Sequence, residues 1–250
     1  MVRGAGKKLL HRAARTPFGE KVLFSLGQSQ PHLLLEALGP RVNRGARFST
    51  VRRWPDDLDA FEDLAFLFSS HQLHHAIISM TVHEAALLYR TAHGLRDATV
   101  AEIGRSKGGS TLLLAAALGE GSQVYSYDLH VKATAGAASD EELRGALERY
   151  GLADLVTLVV GDSRTAEPPP EPCAIVLVDG DHSYEGVRAD FEAWHDRVRT
   201  GGHMLFHDAV GGQLSRPHEG VIRFVEELQR DGRGFVRRGE AGTLVDFERI

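Results

Sequence analysis

Two short segments of the sequence place acidic and imidazole side chains directly behind apolar residues. They are VDGDHSYEG at residues 178–186 and LFHDAV at residues 205–210. Their side chains that could bind a metal or accept a proton are Asp179, Asp181, His182, His207 and Asp208. The segments could form a metal site, part of a catalytic apparatus, or polar loops without chemistry, and the elements that position them decide among these.

Short apolar runs alternate with helical patterns from about residue 95 onward. The predicted strands are residues 98–104, 124–129, 156–162, 174–180 and 203–209. Most are apolar on successive residues, which is typical of strands buried on both faces of a sheet. This alternation predicts an α/β fold with a doubly wound, mostly parallel, seven-stranded Rossmann-like sheet. Its last two strands, within residues 234–249 and joined at Gly242, are predicted to form an antiparallel pair at one edge.

The sequence before residue 81 has a helical pattern, which predicts an N-terminal helical extension or lid over residues 1–80. Residues 54–70 show helical spacing, and Thr81 with Glu84 predicts a capping box that opens the next helix. Basic residues are concentrated in the first 21 positions. We expect helices there to pack against a second copy of the chain, which would form a homo-oligomer. The alternative is a basic amphipathic segment at an anionic membrane surface.

Composition and charge limit the class of protein. The chain has 250 residues, of which 42% are hydrophobic, and this is enough for a packed core. Its formal net charge of −5 gives no reason to expect nucleic acid as a partner. Cys173 is the single cysteine, so no disulfide forms within the chain and a reducing compartment is expected. The sequence shows no transmembrane segment and no signal peptide, so we expect a cytoplasmic protein.

Doubly wound sheets bind ligands at the carboxyl ends of their strands, so the residues that follow each strand are the candidates. After the first strand, Gly104 and Gly108 allow a ligand to approach the backbone closely. Ser110 lies where the next helix offers free N–H groups. Asp128 ends the second strand, where a carboxylate can accept hydrogen bonds from ribose hydroxyls.

The third predicted strand ends in Asp162 and Ser163, which could contact an adenine edge. Together with the glycine turn and the ribose acid, this polar pair predicts an adenosine-containing cofactor. The turn lacks the GxGxxG spacing of dinucleotide-binding folds. An NAD-binding oxidoreductase is therefore the disfavoured alternative.

The pattern E-x-G-x-x-x-G-x-S at residues 102–110, followed by Asp128 and GDS, resembles class I S-adenosylmethionine-dependent methyltransferases. VLVDGDHSYEGVRADFEAW with GGHMLFHD is similar, more narrowly, to macrocin-type and mycinamicin-type sugar O-methyltransferases and to cephalosporin-hydroxylase-like proteins. The resemblance implies an S-adenosylmethionine-binding domain over residues 81–250. The candidate cofactor-binding residues are Glu102, Gly104, Ser106, Gly108, Ser110, Asp128, Asp162, Ser163 and Asp179.

In that family, the aspartate that ends the fourth strand and an acidic pair that ends the fifth bind a divalent metal. The resemblance places these roles on Asp179, His207 and Asp208, and implies Mg²⁺ or Mn²⁺. The commoner pattern has a carboxylate at the position of His207. An imidazole there favours Mn²⁺, Fe²⁺, Co²⁺ or Zn²⁺ over Mg²⁺. The alternative is that His207 forms a hydrogen bond with Asp208 and that no metal binds.

His182 lies three residues after Asp179, at the offset of the proposed general base in the sugar O-methyltransferases that the chain resembles. A hydroxyl must lose its proton as it attacks a sulfonium methyl group, and an imidazole titrates close to neutral pH. Helix capping or loop packing is the alternative for His182. Asp181 is interpreted as a second metal ligand, as a partner that orients His182, or as an acid at a helix N-terminus.

These features predict an S-adenosylmethionine-dependent O-methyltransferase, assisted by a divalent metal, that methylates a hydroxyl of a small molecule such as a glycosylated natural product or saccharide. Two alternatives stay open: a cephalosporin-hydroxylase-like protein with another activity, and a non-enzymatic membrane-associated protein with a vestigial pocket. The histidines at residues 71, 74, 75 and 83 predict a polar helix face or a substrate-facing lid rather than a separate metal site. The loop at residues 209–220 predicts a cover over the substrate or an ordinary connection.

Overall fold

The computed structural model describes residues 47–51, 54–68, 77–130, 136–210 and 218–250. Its strands are β1 (Thr99–Ile103), β2 (Gln123–Asp128), β3 (Val156–Val160), β4 (Cys173–Val178), β5 (Val198–Phe206), β6 (Phe235–Ala241) and β7 (Leu244–Arg249). Its α-helices are α1 (Val82–Ala92), α2 (Gly109–Ala117), α3 (Ala137–Arg149), α4 (Tyr184–Trp194) and α5 (Glu219–Asp231). Short 3-10 helices occupy Phe48–Thr50, Phe61–Leu67, Ala153–Leu155 and His195–Arg197.

The seven strands form one sheet in the order β3-β2-β1-β4-β5-β7-β6. The first five pair in parallel, whereas β7 is antiparallel to both β5 and β6. The predicted doubly wound, mostly parallel sheet with an antiparallel pair at one edge is therefore confirmed. The strand order reverses between β1 and β4, so the crevice at their carboxyl ends is the expected ligand site.

Helices cover both faces of the sheet, which explains why its central strands are apolar throughout. Every residue of β1 and of β4 is buried. Along β4, Ile175 and Leu177 join one core with α1, α2 and α3, whereas Val176 and Val178 join a second core with α4 and α5. Alternate side chains of a strand point to opposite faces, so one apolar run supplies both cores.

The described part of the N-terminal segment differs from the predicted helix at residues 54–70. Among residues 54–68, only Phe61–Leu67 is helical, and it is a 3-10 helix. Before it, Trp54 packs against Phe66 and Tyr150, and the Tyr150 hydroxyl donates to the Pro55 carbonyl at 3.0 Å. These tertiary contacts fix Trp54 and Pro55 against Phe66 and Tyr150, and such packing overrides the helical spacing of residues 54–60. The helical spacing here indicated a buried face correctly but the wrong helix type.

The capping box that opens α1 is confirmed. The Thr81 hydroxyl accepts from the Glu84 N–H at 3.3 Å, and the Glu84 carboxylate accepts from the Thr81 N–H at 2.6 Å. Residues 1–46 and 69–76 lie outside the described residues, and the predictions of a basic segment and an oligomer contact fall there, as does the histidine-rich face except for His83, which is exposed on α1. In the part of the chain that the structure describes, no helix has the length and apolarity needed to span a membrane.

Candidate active site

The glycine turn after β1 lies directly against the end of β4. Gly104 has a φ of +93°, and a Cβ built on it would lie 2.1 Å from the carbonyl oxygen of Asp179. Only glycine tolerates this combination of dihedral angle and contact, so the turn requires it. Ser106 also has a positive φ, of 51°, which is uncommon for a residue with a side chain. The predicted turn is thus present and is held in a strained conformation.

Two further predicted residues, Gly108 and Ser110, fix the start of α2. Gly108 has a φ of +85°, and a Cβ on it would lie 2.4 Å from the Leu143 side chain of α3. The Ser110 hydroxyl donates a hydrogen bond to the carboxylate of Glu102 beneath the turn. These contacts pack the first turn of α2 closely against both α3 and β1.

Glu102 is fully buried below the turn. Its carboxylate accepts hydrogen bonds from the hydroxyls of Ser110, Thr111 and Ser126. Burial raises its pKa, and the three hydroxyl donors oppose this effect. Because it has no exposed surface, its part in the predicted cofactor site is to hold the turn in place.

Asp128, at the end of β2, faces the same turn. Its Oδ2 accepts from the backbone N–H groups of Arg105 and Ser106 at 3.0 and 2.8 Å, and its Oδ1 accepts from the N–H of His130 at 2.7 Å. A carboxylate has about four acceptor positions, so one is left for a ribose hydroxyl. The predicted ribose acid therefore also shapes the turn.

Sequence reasoning missed the role of Arg105, whose side chain is fully buried. It donates to both oxygens of Asp140 in α3, at 2.9 Å each, and to the carbonyl of Ser126 at 2.5 Å. His130 Nε2 lies 3.1 Å from the same Asp140 carboxylate. This bidentate ion pair between Arg105 and Asp140 attaches the glycine turn to α3. The only sequence signal was the position of an arginine inside the turn, and it gave no indication of its partner.

Asp162 and Ser163 follow β3 as predicted, but both contact protein groups. Arg164 donates two hydrogen bonds to the Asp162 carboxylate, at 2.7 and 2.6 Å, and these lower its pKa. The Ser163 hydroxyl donates to Asp190 at 3.3 Å. Burial raises the pKa of Asp190 to about 6. Contact of Asp162 and Ser163 with a cofactor stays a prediction.

Asp179, His182, His207 and Asp208 converge at the ends of β4 and β5, as predicted. Asp179 Oδ1 lies 3.3 Å from His207 Nδ1 and 3.4 Å from His182 Nε2. Asp208 Oδ2 lies 3.1 Å from His182 Nε2 and 3.6 Å from His207 Nδ1. Asp208 has a φ of +57°, so the second segment is strained where it supplies its carboxylate.

The close contacts within this cluster lack hydrogen-bond geometry. His182 Nε2 and both ring nitrogens of His207 are buried and form no hydrogen bond with any described residue. The ligand atoms of Asp179, His207 and Asp208 nevertheless lie within 4.8 Å of one another. Buried polar atoms normally have hydrogen-bond partners, so nitrogen and oxygen atoms that converge in this way fit the donor set of a bound cation.

Electrostatic coupling within the cluster is strong. The carboxylates of Asp179 and Asp208 raise the pKa of His182 to about 9. Burial opposes the charged form of His207, but Asp179 and the other carboxylates still raise its pKa well above the ordinary value. Burial likewise opposes the charge of Asp179, whereas His207 and His182 lower its pKa to about 2. Without a cation, the imidazoles therefore hold protons between ionised carboxylates.

His218 and Glu84 complete the cluster, and sequence reasoning missed both. His218 Nε2 lies 3.2 Å from Asp208 Oδ2, and its ring stacks on His182 with centroids 4.2 Å apart. Glu84 Oε2 lies 3.6 Å from His207 Nε2. The sequence signalled Glu84 only as a capping residue and His218 only as part of the loop at residues 209–220, of which residues 211–217 lie outside the described residues.

The Asp181 carboxylate contacts the start of α4. Its Oδ1 accepts from the Ser183 N–H at 2.9 Å, and this backbone hydrogen bond lowers its pKa. A Cβ built on Gly186 would lie 2.3 Å from the Asp181 Cγ atom, so the carboxylate covers the first turn of α4. This arrangement matches the interpretation of Asp181 as an acid at a helix N-terminus.

Comparisons with known proteins identify the domain and the fold. Residues 101–209 match the family profile described as a methyltransferase domain, a segment that runs from β1 to just beyond Asp208. The O-methyltransferase TomG from Streptomyces achromogenes, solved in complex with SAM, is 21% identical, with 80% of this chain and 92% of TomG covered and a TM-score of 0.53. The O-methyltransferase from Bacillus cereus, solved in complex with SAH, is 19% identical, with coverages of 76% and 90% and a TM-score of 0.50.

At these identities the two solved structures show a shared fold, whereas the profile match identifies the domain. The matched segment contains both the glycine turn and the converging residues that follow β4 and β5. Residues 101–209 therefore form a methyltransferase domain, and the sheet around it has the Rossmann-like methyltransferase fold.

Proposed function

We propose that this enzyme transfers a methyl group to a hydroxyl oxygen of a small molecule, assisted by a divalent cation. The observation that carries the proposal is the position of the Asp and His cluster beside the glycine turn. Gly104 of the turn packs directly on the backbone of Asp179, so closely that no side chain would fit between them. A methyl donor at the turn and an acceptor at the cluster would therefore lie side by side, which favours methyl transfer by proximity.

The acceptor that we favour is a glycosylated natural product or another saccharide. Alcohol hydroxyls keep their protons far above neutral pH, so their methylation needs a proton acceptor next to the reacting oxygen. The cluster supplies three imidazoles at one sheet edge, those of His182, His207 and His218. The solved relatives TomG and the Bacillus cereus enzyme are both O-methyltransferases by name, which supports oxygen as the acceptor atom. The net charge of −5 supports a small molecule rather than nucleic acid.

The cofactor site that we propose is the turn from Gly104 to Ser110 with Asp128 beside it. When bound, S-adenosylmethionine supplies a methyl group on a positively charged sulfur. The remaining acceptor position of Asp128 fits a ribose hydroxyl. The cavity bounded by Ser79, Met80, the turn and Asp179 has a volume of only about 10 Å³. Residues 77–80 must therefore separate from the turn when the cofactor binds.

Asp179, His207 and Asp208 fit a divalent cation, since their ligand atoms converge and the His207 ring nitrogens form no hydrogen bond with the described residues. A cation held there would supply positive charge beside the acceptor oxygen. With one imidazole among the ligands, Mn²⁺, Co²⁺ or Zn²⁺ suits the set better than Mg²⁺.

His182 is the general base in this proposal. Its Nε2 lies between the carboxylates of Asp179 and Asp208, and the stacked ring of His218 fixes its orientation. Those carboxylates raise the pKa of His182 to about 9, so its ring is charged at neutral pH as long as no cation is bound. Positive charge held by the carboxylates would offset this effect, and His182 Nε2 could then accept the hydroxyl proton.

Calorimetric titration with S-adenosylmethionine, with and without Mn²⁺, is the first test. A panel of glycosides incubated with cofactor, Mn²⁺ and enzyme is then analysed by mass spectrometry. A product heavier by one methyl group supports O-methyl transfer, whereas a gain of one oxygen would identify the cephalosporin-hydroxylase-like alternative. Absence of cofactor binding at millimolar concentration would refute the proposal.

A further inference from the structure

We infer that Glu84 is a positioning residue that sets the tautomer of His207, so that Nδ1 of this ring faces Asp179 and Asp208 as a cation ligand. The inference rests on the proposed metal site. Glu84 belongs to α1, which precedes the matched methyltransferase segment of residues 101–209. The cation site would therefore depend on an element outside that segment.

The carboxylate of Glu84 is buried and held from several sides. Only 2% of the residue is exposed. Its Oε2 accepts from the Thr81 N–H at 2.6 Å, and its Oε1 accepts from the N–H and hydroxyl of Thr243 at 2.7 and 2.9 Å. A Cβ built on Gly242 would lie 2.5 Å from Glu84 Oε1, so the tip of the β6–β7 hairpin closes directly over the carboxylate. This side chain has little freedom to move.

Such a fixed carboxylate favours one tautomer of the neighbouring imidazole. Glu84 Oε2 lies 3.6 Å from His207 Nε2, and a carboxylate accepts protons but donates none. When a cation lies between Asp179 and Asp208 and excludes a proton from Nδ1, the proton of the neutral ring therefore stays on Nε2, facing Glu84. The Nδ1 lone pair then faces Asp179 Oδ1 at 3.3 Å and Asp208 Oδ2 at 3.6 Å. Three electron-rich atoms at these distances repel one another unless a cation or a proton lies between them. Metal-bound histidines are commonly oriented by a carboxylate on their other nitrogen.

Thr243 links Glu84 to Asp208, the second proposed cation ligand at the end of β5. Its hydroxyl accepts from the Asp208 N–H at 3.3 Å, and its carbonyl accepts from the Ala209 N–H at 2.8 Å. Asp208 needs this support because its φ is +57°. Glu84, anchored on Thr243, thus aligns both His207 and Asp208.

The test is Co²⁺ and Mn²⁺ binding to the full chain and to Glu84→Gln, followed by the visible absorption of Co²⁺ and by Mn²⁺ electron paramagnetic resonance. A glutamine amide can donate to His207 Nε2, which would place the proton on Nδ1, facing the cation. We expect affinity for both ions to fall by about 10-fold to 100-fold, as for other outer-shell partners of metal ligands. The Co²⁺ spectrum should change, and the affinity for S-adenosylmethionine should not.

A matched control and a double mutant separate positioning from stability. Thr81→Ala removes the hydroxyl that accepts from the Glu84 N–H but keeps the Thr81 N–H that the carboxylate accepts. It should lower the melting temperature and leave Co²⁺ affinity unchanged. In a His207→Gln background, Glu84→Gln should change Co²⁺ affinity by less than about two-fold, because the glutamine carbonyl can still accept from Thr243 and only the effect through the ring is lost.

Three outcomes would overturn the inference. If the unmodified chain binds neither ion, the proposed metal site fails and the role of Glu84 fails with it. If the unmodified chain binds Co²⁺ and Glu84→Gln binds it equally well, only the positioning role fails. If Glu84→Gln weakens binding equally with and without His207, Glu84 acts on the fold rather than on the ring.

Discussion

The two halves of the ligand-binding edge differ in how their buried polar groups are satisfied. At the ends of β1, β2 and β3, Glu102 has three hydroxyl donors and the buried Arg105 has Asp140 and a backbone carbonyl. At the ends of β4 and β5, His182 Nε2 and both ring nitrogens of His207 form no hydrogen bond with the described residues. We call the first region the proposed cofactor half, in which these buried groups have protein partners, and the second the proposed acceptor half, in which the three ring nitrogens have none among the described residues.

Each half also contains residues with a side chain and a positive φ, which are Ser106 and His130 in the cofactor half and Asp208 in the acceptor half. A comparison of Ser106 with Asp208 shows what holds them. Ser106 has a φ of 51°, and its N–H donates to the Asp128 carboxylate at 2.8 Å. Asp208 has a φ of 57°, and its N–H donates to the Thr243 hydroxyl at 3.3 Å. The first support is a charged, short hydrogen bond and the second a neutral, longer one. We infer that the turn of the cofactor half keeps its conformation when residues 77–80 separate from it, and that the acceptor half tightens on binding.

The largest effect should come from the acceptor half. We expect His182→Gln to lower kcat by roughly 10²-fold to 10⁴-fold, since the reaction loses its proton acceptor. Affinity for S-adenosylmethionine, measured by calorimetry, should stay within about three-fold, because the cofactor half needs no group from His182. His203→Gln is the matched control, since His203 lies on β5 but pairs with Asp246. Equal turnover of His182→Gln and the unmodified enzyme would exclude His182 as the base.

The second prediction tests how much the buried ion pair of Arg105 and Asp140 in the cofactor half contributes to folding stability. Asp140→Asn leaves the Arg105 guanidinium buried without its counter-ion, and breaking such a pair costs about 3 to 5 kcal/mol. Urea denaturation should show this loss. The exposed pair of Arg96 and Glu120, with side chains 68% and 91% exposed, provides the contrast. Glu120→Gln should cost less than about 1 kcal/mol. Equal losses in the two variants would mean that the buried ion pair does not hold the turn.

The third prediction concerns Asp190 of α4, a buried acid with one weak hydrogen bond. Burial raises its pKa to about 6, so the folded state binds its proton more strongly than the unfolded state does. The free energy of unfolding therefore falls as pH rises from about 4 to about 6, and the loss persists above that range. Asp190→Asn cannot ionise and can still accept from Ser163. It should be more stable than the unmodified chain at neutral pH, by at most about 3 kcal/mol.

Denaturation of both chains at several pH values checks this prediction. The stability difference should disappear below about pH 4, where Asp190 is protonated in the folded and in the unfolded state. Asp196→Asn, at a side chain that is 77% exposed, should change stability by less than about 0.5 kcal/mol at any of these pH values. A constant difference across the pH range would attribute the effect of Asp190→Asn to packing instead of ionisation.

The sequence predicted the acceptor half well where strand ends determined it. Asp179 and Asp208 follow neighbouring parallel strands, and the sheet brings such residues to one edge. The residues that it missed are joined by tertiary packing alone. Glu84 meets His207 because α1 packs near the β6–β7 hairpin, and His218 meets His182 because α5 begins beside α4. No local periodicity encodes such contacts between distant elements.

In the cofactor half, too, the sequence predicted local features but not the contacts between distant elements. Its motif located the turn correctly, through Gly104 and Asp128, because glycine conformation and strand ends are local properties. The motif did not reveal that Arg105 binds Asp140, since an ion pair between a turn and a helix depends on how α3 packs. The segment at Phe61–Leu67 illustrates the point for secondary structure, because a 3-10 and an α-helix bury similar faces over a few residues.

The smallest expected effect on cofactor affinity concerns Asp162 at the end of β3, whose side chain contacts Arg164 in the structure. The pair of Asp162 and Arg164 is partly exposed, with side chains 30% and 36% accessible, so its loss should cost less than about 1 kcal/mol of stability. If Asp162 contacts the adenine edge, Asp162→Asn should weaken S-adenosylmethionine about five-fold, as the loss of one hydrogen bond implies. Arg164→Gln removes the same ion pair and keeps the carboxylate, so it should bind the cofactor at least as tightly as the unmodified enzyme. Equal affinities in both variants, measured by calorimetry, would confine the cofactor contacts to β1 and β2 and would make the bidentate pair at Asp162 a surface feature of the fold.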